Sequence, residues 1–353
     1  MTSLFCNAVS KSTSGGSMQQ KLRRRAALAA IAALSILTVS PTVSRAAEEK
    51  PISIAIQYGY AYLPVVVAEQ KGFFSKQLAA KGINTTVEIK KISGAPAIND
   101  ALISGTVDIG AYGLPGMLIA AEKTKNSIKI RGLAALVAGD NGFYTNKAEI
   151  KDLKDLGSND RIAVTSTTRQ QGLLVRMAAK KAFGDAKHFD TMMVQLPHPD
   201  ATSGLLAGGT ISAYVAPHPY SDVLETDPKV HKLFNFSDYL GQQVTSGLLA
   251  TTGKFIEDRK DASLAVVAAI EEADNFIRDN PKEAAEIFLA SEKSSLNADQ
   301  IEKMLETVKD EWGVQPKGVM VFADFMFEAG LLKSKLTKWQ DVFFEPVATA
   351  QGT

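Results

Sequence analysis

Cysteine is almost missing from this 353-residue chain, in which Cys6 stands alone near the N-terminus. A lone cysteine excludes an intrachain disulfide and a cysteine-rich metal site. An excess of charge of one sign is missing too, since 39 lysines and arginines balance 38 aspartates and glutamates. Nucleic-acid binding would call for a basic excess, so the composition argues against that class of partner. Beyond residue 46, no apolar run approaches the ~20 residues that span a bilayer.

The N-terminus carries the pattern of a secretory signal peptide. Basic residues at Lys21–Arg25 precede an apolar stretch at Ala26–Val39, and small residues follow at Ser44–Ala46. This order of basic, apolar and small residues is typical of a cleaved export signal. We predict that residues 1–46 are removed and that the mature chain is periplasmic. A retained anchor, a start at Met18 and twin-arginine export are the alternatives.

The rest of the chain contains an internal repeat. Displaced by 104 positions, Ile92–Val107 aligns with Leu196–Ile211 without a gap, and Leu102, Gly105 and Thr106 meet identical residues. Each copy follows a strand, a helix and a second strand, and precedes another apolar strand. Short alternating β and α units indicate parallel sheets with helices on both faces.

Hydrophobic periodicity assigns the elements of both halves. The predicted elements of the first half are Ile52–Gln57, Leu63–Lys71, Thr85–Ile92, Ala95–Ser104 and Val107–Tyr112. Those of the second half are Arg161–Val164, Gln170–Phe183, Thr191–Leu196, Asp200–Ala207 and Ile211–Ala216. Helices are predicted beyond Gly253 at Lys254–Asp279, Pro281–Ala290, Ala298–Glu311 and Val319–Gly330.

These units predict two similar α/β lobes. Residues 47–140 and 253–353 form the predicted lobe I, with the C-terminal helices, and residues 141–252 form lobe II. Two segments connect the halves, Leu133–Tyr144 going out and Ser246–Thr252 coming back. Such a double crossing is what a hinge between lobes requires.

Three motifs carry a resemblance to a known family: VVVAEQKGFF at Val65–Phe74, SGAPAINDALISGTVDIGAYG at Ser93–Gly113, and the Pro-x-Pro-Tyr that ends at Tyr220. Together they resemble the nitrate, sulfonate, taurine and thiamine-precursor class of periplasmic substrate-binding proteins of ABC importers. The resemblance extends through Phe322–Leu332 and so covers nearly all of the predicted mature chain.

The resemblance implies a type II-like periplasmic-binding-protein fold, in which two mainly parallel sheets flanked by helices are joined by two crossover strands. It implies a small anionic or polar organic ligand between the lobes, with an ABC permease and ATPase as partners. We expect no catalytic residue, cofactor or metal, and we expect a monomer.

The candidate ligand contacts follow the predicted strand ends, because the crevice of an open α/β sheet lies beyond the carboxyl ends of its strands. In the first lobe they are Tyr58, Gly59, Tyr60, Ser93, Gly94, Tyr112 and Gly113. In the second lobe they are Ser166, Thr167, Thr168, Arg169, His198 and His218.

Each candidate also has a structural explanation. The hydroxyls at Ser166 and Thr167 could bind an anion at a helix N-terminus, or could only cap that helix. Ser93 and Gly94 could form a plain turn, although glycine permits close backbone approach. The tyrosines could be half-buried aromatic residues, and an isolated histidine is more often structural.

A binding protein competes with two other classes. A serine hydrolase of the α/β type would carry Gly-x-Ser-x-Gly, whereas Ser166 stands in Thr-Ser-Thr. A metal hydrolase would need closely spaced histidines and carboxylates, which the sequence lacks. Relatives that make the thiamine pyrimidine are implied to use a cysteine-rich iron segment, also missing. A sensory module stays open because fold does not determine function. His218 replaces the acidic or aromatic residue of many relatives, which leaves sulfonate, nitrate or pyrimidine open as ligand.

Overall fold

Two five-stranded sheets organise the computed structural model, which describes residues 50–92, 94–349 and 352. The predicted signal segment, residues 1–46, lies outside the described residues, and so does Ser93.

The two sheets have the same strand order. The first contains β1 (Ile52–Ile56), β2 (Val87–Lys91), β3 (Ile109–Tyr112), β4 (Arg131–Val137) and β10 (Gly247–Thr251), ordered β2-β1-β3-β10-β4. The second contains β5 (Asn141–Thr145), β6 (Ile162–Val164), β7 (Met193–Gln195), β8 (Ala213–Pro217) and β9 (His231–Asn235), ordered β7-β6-β8-β5-β9. In each sheet the fourth strand in this order runs antiparallel to its neighbours, and the others share one direction. The repeat and the mainly parallel sheets are therefore confirmed.

Helices connect the strands and cover the sheets. They are α1 (Leu63–Gln70), α2 (Phe73–Ala80), α3 (Ala95–Ser104), α4 (Leu114–Thr124), α5 (Gln170–Phe183), α6 (His198–Ala207), α7 (Tyr220–Leu224), α8 (Phe236–Leu240), α9 (Gly253–Asp258), α10 (Lys260–Asp279), α11 (Pro281–Ser291), α12 (Ala298–Thr307) and α13 (Val319–Glu328). The single helix predicted at Lys254–Asp279 is two helices, because Arg259 leaves the helical conformation with φ −137° and ψ 44°. The helix predicted at Ala298–Glu311 ends at Thr307, and a 3₁₀ turn follows at Lys309–Glu311.

The core lies on both faces of the central strands. All residues of β1, β3 and β10 are buried, which explains their nearly continuous apolar sequences. Helix α10 packs on α1 and α2 through buried small and branched residues, among them Ala262, Val266 and Ile270. Among the described residues, no helix combines the length and the apolar character needed to cross a membrane.

The connections between the sheets correct one predicted boundary. Strand β10 pairs with β3 and β4, so residues 247–251 belong to the first sheet although the predicted lobe II extends to residue 252. Long-range antiparallel pairing of this kind leaves no local signal in the sequence. The chain passes between the sheets at Ala138–Asp140, after β4, and at Gln242–Ser246, before β10. The other predicted residue bounds of the two lobes stay a prediction.

Candidate ligand-binding cleft

A cavity of about 940 Å³ lies where strand ends of both sheets meet. Each sheet contains three neighbouring parallel strands, β2-β1-β3 in the first sheet and β7-β6-β8 in the second. The segment that follows each of these six strands contributes to the cavity wall. The lining includes Gln57–Tyr62, Gly94–Pro96, Gly113, Thr165, Thr168–Gln171, Pro197–Pro199, Pro217 and His218. Asp140 and Ser246, which lie in the two connections between the sheets, also line it. The crevice therefore lies where the predicted topology places it.

The helices that begin at this cavity include α3, α4, α5 and α6. The first turn of a helix presents unpaired N–H groups and a partial positive charge, which favour an anion. Pro96, Pro115 and Pro199 each remove one of these donors from α3, α4 and α6. Helix α5 instead begins Gln170-Gln171-Gly172, whose N–H groups donate to no acceptor within the described chain. Helix α5 thus offers the most open set of backbone donors.

Arg169 is the N-cap residue of α5 and reaches across the cavity. A Cβ atom added to Gly94 would lie 3.5 Å from Nη2 of Arg169, so the guanidinium lies against the backbone that begins α3. Burial raises the pKa of Tyr62, and the Arg169 charge opposes that rise. None of the ion pairs among the described residues involves Arg169. A cation from the second half therefore faces the first half without a carboxylate partner.

The hydroxyl-rich segment Thr165–Thr168 places only some of its residues at the cavity, whereas the sequence analysis placed Ser166, Thr167 and Thr168 there. Thr165 and Thr168 line the cavity, whereas Ser166 and Thr167 do not. No side chain caps α5, so the interpretation of Ser166 and Thr167 as helix caps is wrong. Ser166 Oγ accepts a 3.3 Å hydrogen bond from the Thr168 N–H instead. Ligand contact by Thr168 stays a prediction, whereas the position of Ser166 and Thr167 outside the cavity lining argues against contact by their hydroxyls.

Gln171 and Gly172 hold this segment in place. The Gln171 Oε1 accepts hydrogen bonds from the Thr165 N–H at 2.9 Å and from its Oγ1 at 2.6 Å. Gly172 is needed because a Cβ there would lie 2.5 Å from the Thr167 carbonyl oxygen and 2.6 Å from that of Ser166. The loop therefore packs directly on the first turn of α5.

The predicted contacts of the first half divide into cavity and core. Tyr58, which is 60% exposed, lines the cavity together with Gly59 and Tyr60. Gly94 and Gly113 line it as the N-cap residues of α3 and α4. Tyr112 was predicted to face the crevice, but it is fully buried and does not line the cavity. Its ring packs against Gly110 and Gly116 instead, since Cβ atoms added at these glycines would lie 3.2 Å and 3.4 Å from it.

Gln57 is a cavity residue that the sequence analysis missed. Its Oε1 accepts a 3.1 Å hydrogen bond from the Gly94 N–H, and its Nε2 donates to the Tyr62 hydroxyl at 2.9 Å. A glutamine at the end of the apolar strand β1 was the available signal. Gln57 thereby satisfies a donor at the start of α3 from within the first half.

The two predicted histidines both line the cavity, but their pKa values are shifted in opposite directions. His198 Nδ1 lies 2.5 Å from the Tyr214 hydroxyl, and its ring stacks on Tyr220 with centroids 4.8 Å apart. Burial lowers the pKa of His198 to about 4, so this ring is neutral at pH 7. Burial would also lower the pKa of His218, but the Asp222 carboxylate, 2.5 Å from Nδ1, raises it above the ordinary value.

The group of His218, Ser221 and Asp222 does not have the geometry of a hydrolase triad. Ser221 Oγ lies 3.1 Å from Nδ1 of His218, the same nitrogen that Asp222 contacts. In a Ser-His-Asp triad the serine and the carboxylate use opposite ring nitrogens. Within the described ranges, no group of three or more His, Cys, Asp or Glu side chains could hold a metal ion.

Acidic residues near the cavity were also missed by the sequence analysis. Asp140 accepts hydrogen bonds from the N–H groups of Asn141 at 2.7 Å and Ser237 at 3.0 Å. Glu292 Oε2 accepts one from the Gly59 N–H at 2.8 Å. Burial raises the pKa of Glu311, behind the wall at Tyr60, to about 7. These residues lie outside the strands and α-helices and far apart in sequence, so no periodicity marks them.

Comparison with solved structures identifies the fold. The periplasmic aliphatic sulphonate binding protein SsuA of Escherichia coli matches with a TM-score of 0.67 and 18% identity, covering 84% of this chain and 93% of that one. The alkanesulfonate-binding protein SsuA of Xanthomonas axonopodis pv. citri, bound to MOPS, matches with a TM-score of 0.64 and 18% identity, covering 84% of this chain and 99% of that one. The chain therefore has the two-lobed fold of periplasmic binding proteins, as its sequence predicts.

Sequence comparison identifies the family. A Brucella abortus (strain 2308) protein named "Putative binding protein" is 23% identical over 329 residues, which cover 89% of this chain and 96% of that protein. The model of the NMT1-like family matches residues 45–290, more than half of the chain. The resemblance read from the three motifs is confirmed, and the chain belongs to the NMT1-like family.

Proposed function

We propose that the protein is an extracytoplasmic solute-binding protein that captures a small ligand with an anionic end in the cleft and delivers it to an ABC permease. The observation that carries the proposal is the unpaired Arg169 guanidinium at the N-terminus of α5, facing Gly94 across the cavity. A ligand anion would receive charge-assisted hydrogen bonds from Arg169 and from the open N–H groups of α5. Each such bond contributes about 1.5 to 3 kcal/mol.

Closure of the cleft would follow from contacts with both halves. A ligand held between Arg169 and the first turn of α3 binds the closed arrangement more tightly than an open one. It therefore shifts the population toward closure. The connections at Ala138–Asp140 and Gln242–Ser246 are the proposed hinge, because the chain passes between the sheets only twice in its described part.

Export and assembly belong to the same proposal. We propose that residues 1–46 direct secretion and are cleaved, so that the mature protein acts in the periplasm as a monomer beside the permease and ATPase. N-terminal sequencing of exported protein should begin near Ala47. Recovery of an intact Met1 or Met18 chain in the cytoplasm would contradict export.

A sensory module on the same fold is the second candidate, and neighbouring genes would separate it from a transport protein. Genes for a permease and an ATPase beside this one support transport. A fused or adjacent signalling gene without a permease supports sensing.

A thermal-shift screen tests the binding function. Ligand that binds the native state raises its stability by RT ln(1 + [L]/Kd), about 2.7 kcal/mol at 100 times Kd. Mature protein should be screened against sulfonates, nitrate, pyrimidines and small carboxylates, with Arg169→Gln protein in parallel. The proposal predicts stabilisation of the unaltered protein by an anion and a much smaller effect on Arg169→Gln. Equal stabilisation of both proteins would contradict the assigned site.

A further inference from the structure

His218 is a residue of the cavity wall that the proposed anion site does not use. It follows β8 in the second half, and its polar partners belong to the same half. The Asp222 carboxylate lies 2.5 Å and Ser221 Oγ 3.1 Å from Nδ1 of its ring, and the Glu225 charge also acts on it. The ring itself meets the first half, where it packs edge to face against Tyr60 with centroids 6.0 Å apart. His218 therefore brings a titratable group of the second half against the first half.

Tyr60 belongs to a group of first-half residues attached to β4 and to the connection that follows it. Its ring packs edge to face against Trp312, with centroids 5.7 Å apart. Trp312 forms a β-bridge with the last residue of β4, and the Glu311 carbonyl oxygen accepts the Ala138 N–H at 2.8 Å. A Cβ added to Gly139 would collide with the Tyr60 hydroxyl. This group therefore stays with the first half and lies directly against the proposed hinge.

The Glu311 carboxyl of this group faces His218 across the cleft. Its Oε2 atom is buried and forms no hydrogen bond within the described residues. Burial raises the pKa of Glu311 to about 7, and the Asp140 charge adds to that rise. The His218 charge is the largest influence that lowers it. The main cation near Glu311 therefore comes from the second half.

Opening of the cleft would separate His218 from Tyr60 and Glu311 and would leave their other contacts intact. Asp222 moves with His218 because both lie in the second half, whereas Trp312 and Tyr60 stay with Glu311. An ionised Glu311 attracts a protonated His218, and the attraction is strong because both groups are partly buried. It stabilises only the closed arrangement, so it shifts the population toward closure.

We propose that His218 and Glu311 are positioning residues for closure, whose opposite charges hold the two halves together, so that proton uptake by Glu311 opens the cleft. This inference rests on the hinge closure of the proposed function. Because closure brings the protonated His218 to Glu311, the closed form binds the Glu311 proton more weakly than the open form. Closure is therefore favoured near and above about pH 7, while His218 keeps its proton, and is lost in acid. Asp222 extends this range because it raises the pKa of His218. A ligand that needs the closed form binds more weakly in acid.

Single-molecule energy transfer between dyes on the two halves measures the ratio of closed to open molecules without a ligand. The chain beyond residue 46 has no cysteine, so Ala97→Cys and Ser203→Cys place the dyes uniquely, on exposed residues of α3 and α6 outside the cavity lining. In the mature protein the ratio should fall at least about threefold from about pH 7.5 to about pH 5.5, where Glu311 is protonated. Glu311→Gln and His218→Gln should each have the low ratio already at about pH 7.5, and neither ratio should change by more than about 1.5-fold with pH.

Further variants separate a charge pair from a structural role. The protein with both His218→Gln and Glu311→Gln should open no further than either single variant, because one substitution already removes the attraction. Glu311→Gln should open the cleft without loss of stability in urea unfolding, because it removes a carboxylate that burial makes costly to ionise. His188→Gln and Glu306→Gln alter exposed residues outside the cavity lining and should leave the ratio unchanged. Additive effects, a parallel loss of stability and closure, or an equal effect of either control would overturn the inference.

The outcomes also separate this inference from the proposed function. A ratio that neither pH nor the two variants change, or that rises in acid, overturns the inference, whereas anion binding that depends on Arg169 leaves the proposed function standing. A ratio that falls in acid and loses this dependence in both variants supports the inference. If no anion of the thermal-shift screen then stabilises the protein, only the proposed binding function is wrong.

Discussion

The two halves of the chain share one strand order but present different chemistry at the ends of their first strands. After β1 come Gln57 and a 3₁₀ turn at Tyr60–Tyr62, and Gln57 itself satisfies the Gly94 N–H at the start of α3. After β6 comes the Thr165–Arg169 loop, which leaves the first N–H groups of α5 open and adds an unpaired guanidinium. The topology thus determines where the crevice lies, whereas the residues at the strand ends determine what it can hold.

Of the substitutions that test this difference between the halves, Arg169→Gln should have the largest effect. Arg169→Gln removes a charged donor and should lower the affinity for an anionic ligand by about 1.5 to 3 kcal/mol, or roughly tenfold to a hundredfold. Stability should change little, because the side chain is exposed and makes no ion pair within the described chain. Calorimetry with chemical unfolding measures both quantities.

Arg161→Gln is the matched control, since Arg161 precedes β6 and lies at the opposite end of that strand. Its guanidinium donates to the Ser158 carbonyl oxygen and not to the cavity wall. An equal loss of affinity in Arg161→Gln would mean that general positive charge, and not the position of Arg169, attracts the ligand.

Gly172 tests whether the open donors of α5 depend on the packing of the loop. Gly172→Ala places a Cβ 2.5 Å from the Thr167 backbone, so the loop has to move away from the helix. We expect a loss of about 1 to 3 kcal/mol in the free energy of unfolding, together with weaker ligand binding. Gly209→Ala, whose added Cβ meets no atom within 4 Å, is the control. Unchanged stability in Gly172→Ala would contradict the close packing.

Glu311 tests the wall of the cavity in the first half. Burial behind Tyr60 raises the pKa of the Glu311 carboxyl from 4.5 to about 7. When folding raises the pKa of a carboxyl, the protein loses stability as the pH rises from the pKa of that group in the unfolded state to its pKa in the folded state. Glu311→Gln should therefore be more stable than the unaltered protein at about pH 8, by about 1 to 3 kcal/mol. The difference should vanish near about pH 4, where the carboxyl is protonated in both states. Urea unfolding at both pH values measures it, and a difference that does not change with pH would contradict the raised pKa.

Ser166 and Thr167 should give the smallest effects of the second-half loop. Neither hydroxyl caps α5 and neither lines the cavity. Replacement of either residue by alanine should change stability and ligand affinity by less than about 0.5 kcal/mol. Thr165→Ala, which loses a 2.6 Å hydrogen bond to Gln171, should cost about 1 kcal/mol of stability and serves as the positive control. A tenfold loss of affinity in Ser166→Ala would show that its hydroxyl turns to the ligand.

Local sequence patterns predicted most of the fold and part of the cavity lining. The succession of strands and helices along each half, including α5, followed from periodicity, because these elements bury one face with a regular spacing. The order of the strands within each sheet came only from the structure. The placement of β10 did not, since its partners lie more than a hundred residues earlier and nothing local specifies them. The burial of Tyr112 was not predicted either, because its ring packs against Gly110 and Gly116, and its position at a strand end does not indicate this.

Sequence patterns also did not determine which individual residues line the candidate site. Adjacent residues after a strand point to different sides, so the choice between Thr165 and Ser166 required coordinates. Arg169 and Gly94 were predicted separately, and the structure brings them together. Glu292 belongs to a polar segment after a helix, where sequence alone gives no indication that it returns to Gly59.

The central claim is that the first turn of α5 receives the anionic end of the ligand. Amide chemical shifts of ¹⁵N-labelled mature protein, followed during titration with an anion identified by the thermal-shift screen, test it most directly. The N–H groups of Gln170, Gln171 and Gly172 should move downfield and saturate with the binding curve, more than those of Ala95 and Ala97 at the start of α3. Saturable binding that leaves these three amides unmoved would contradict the claim.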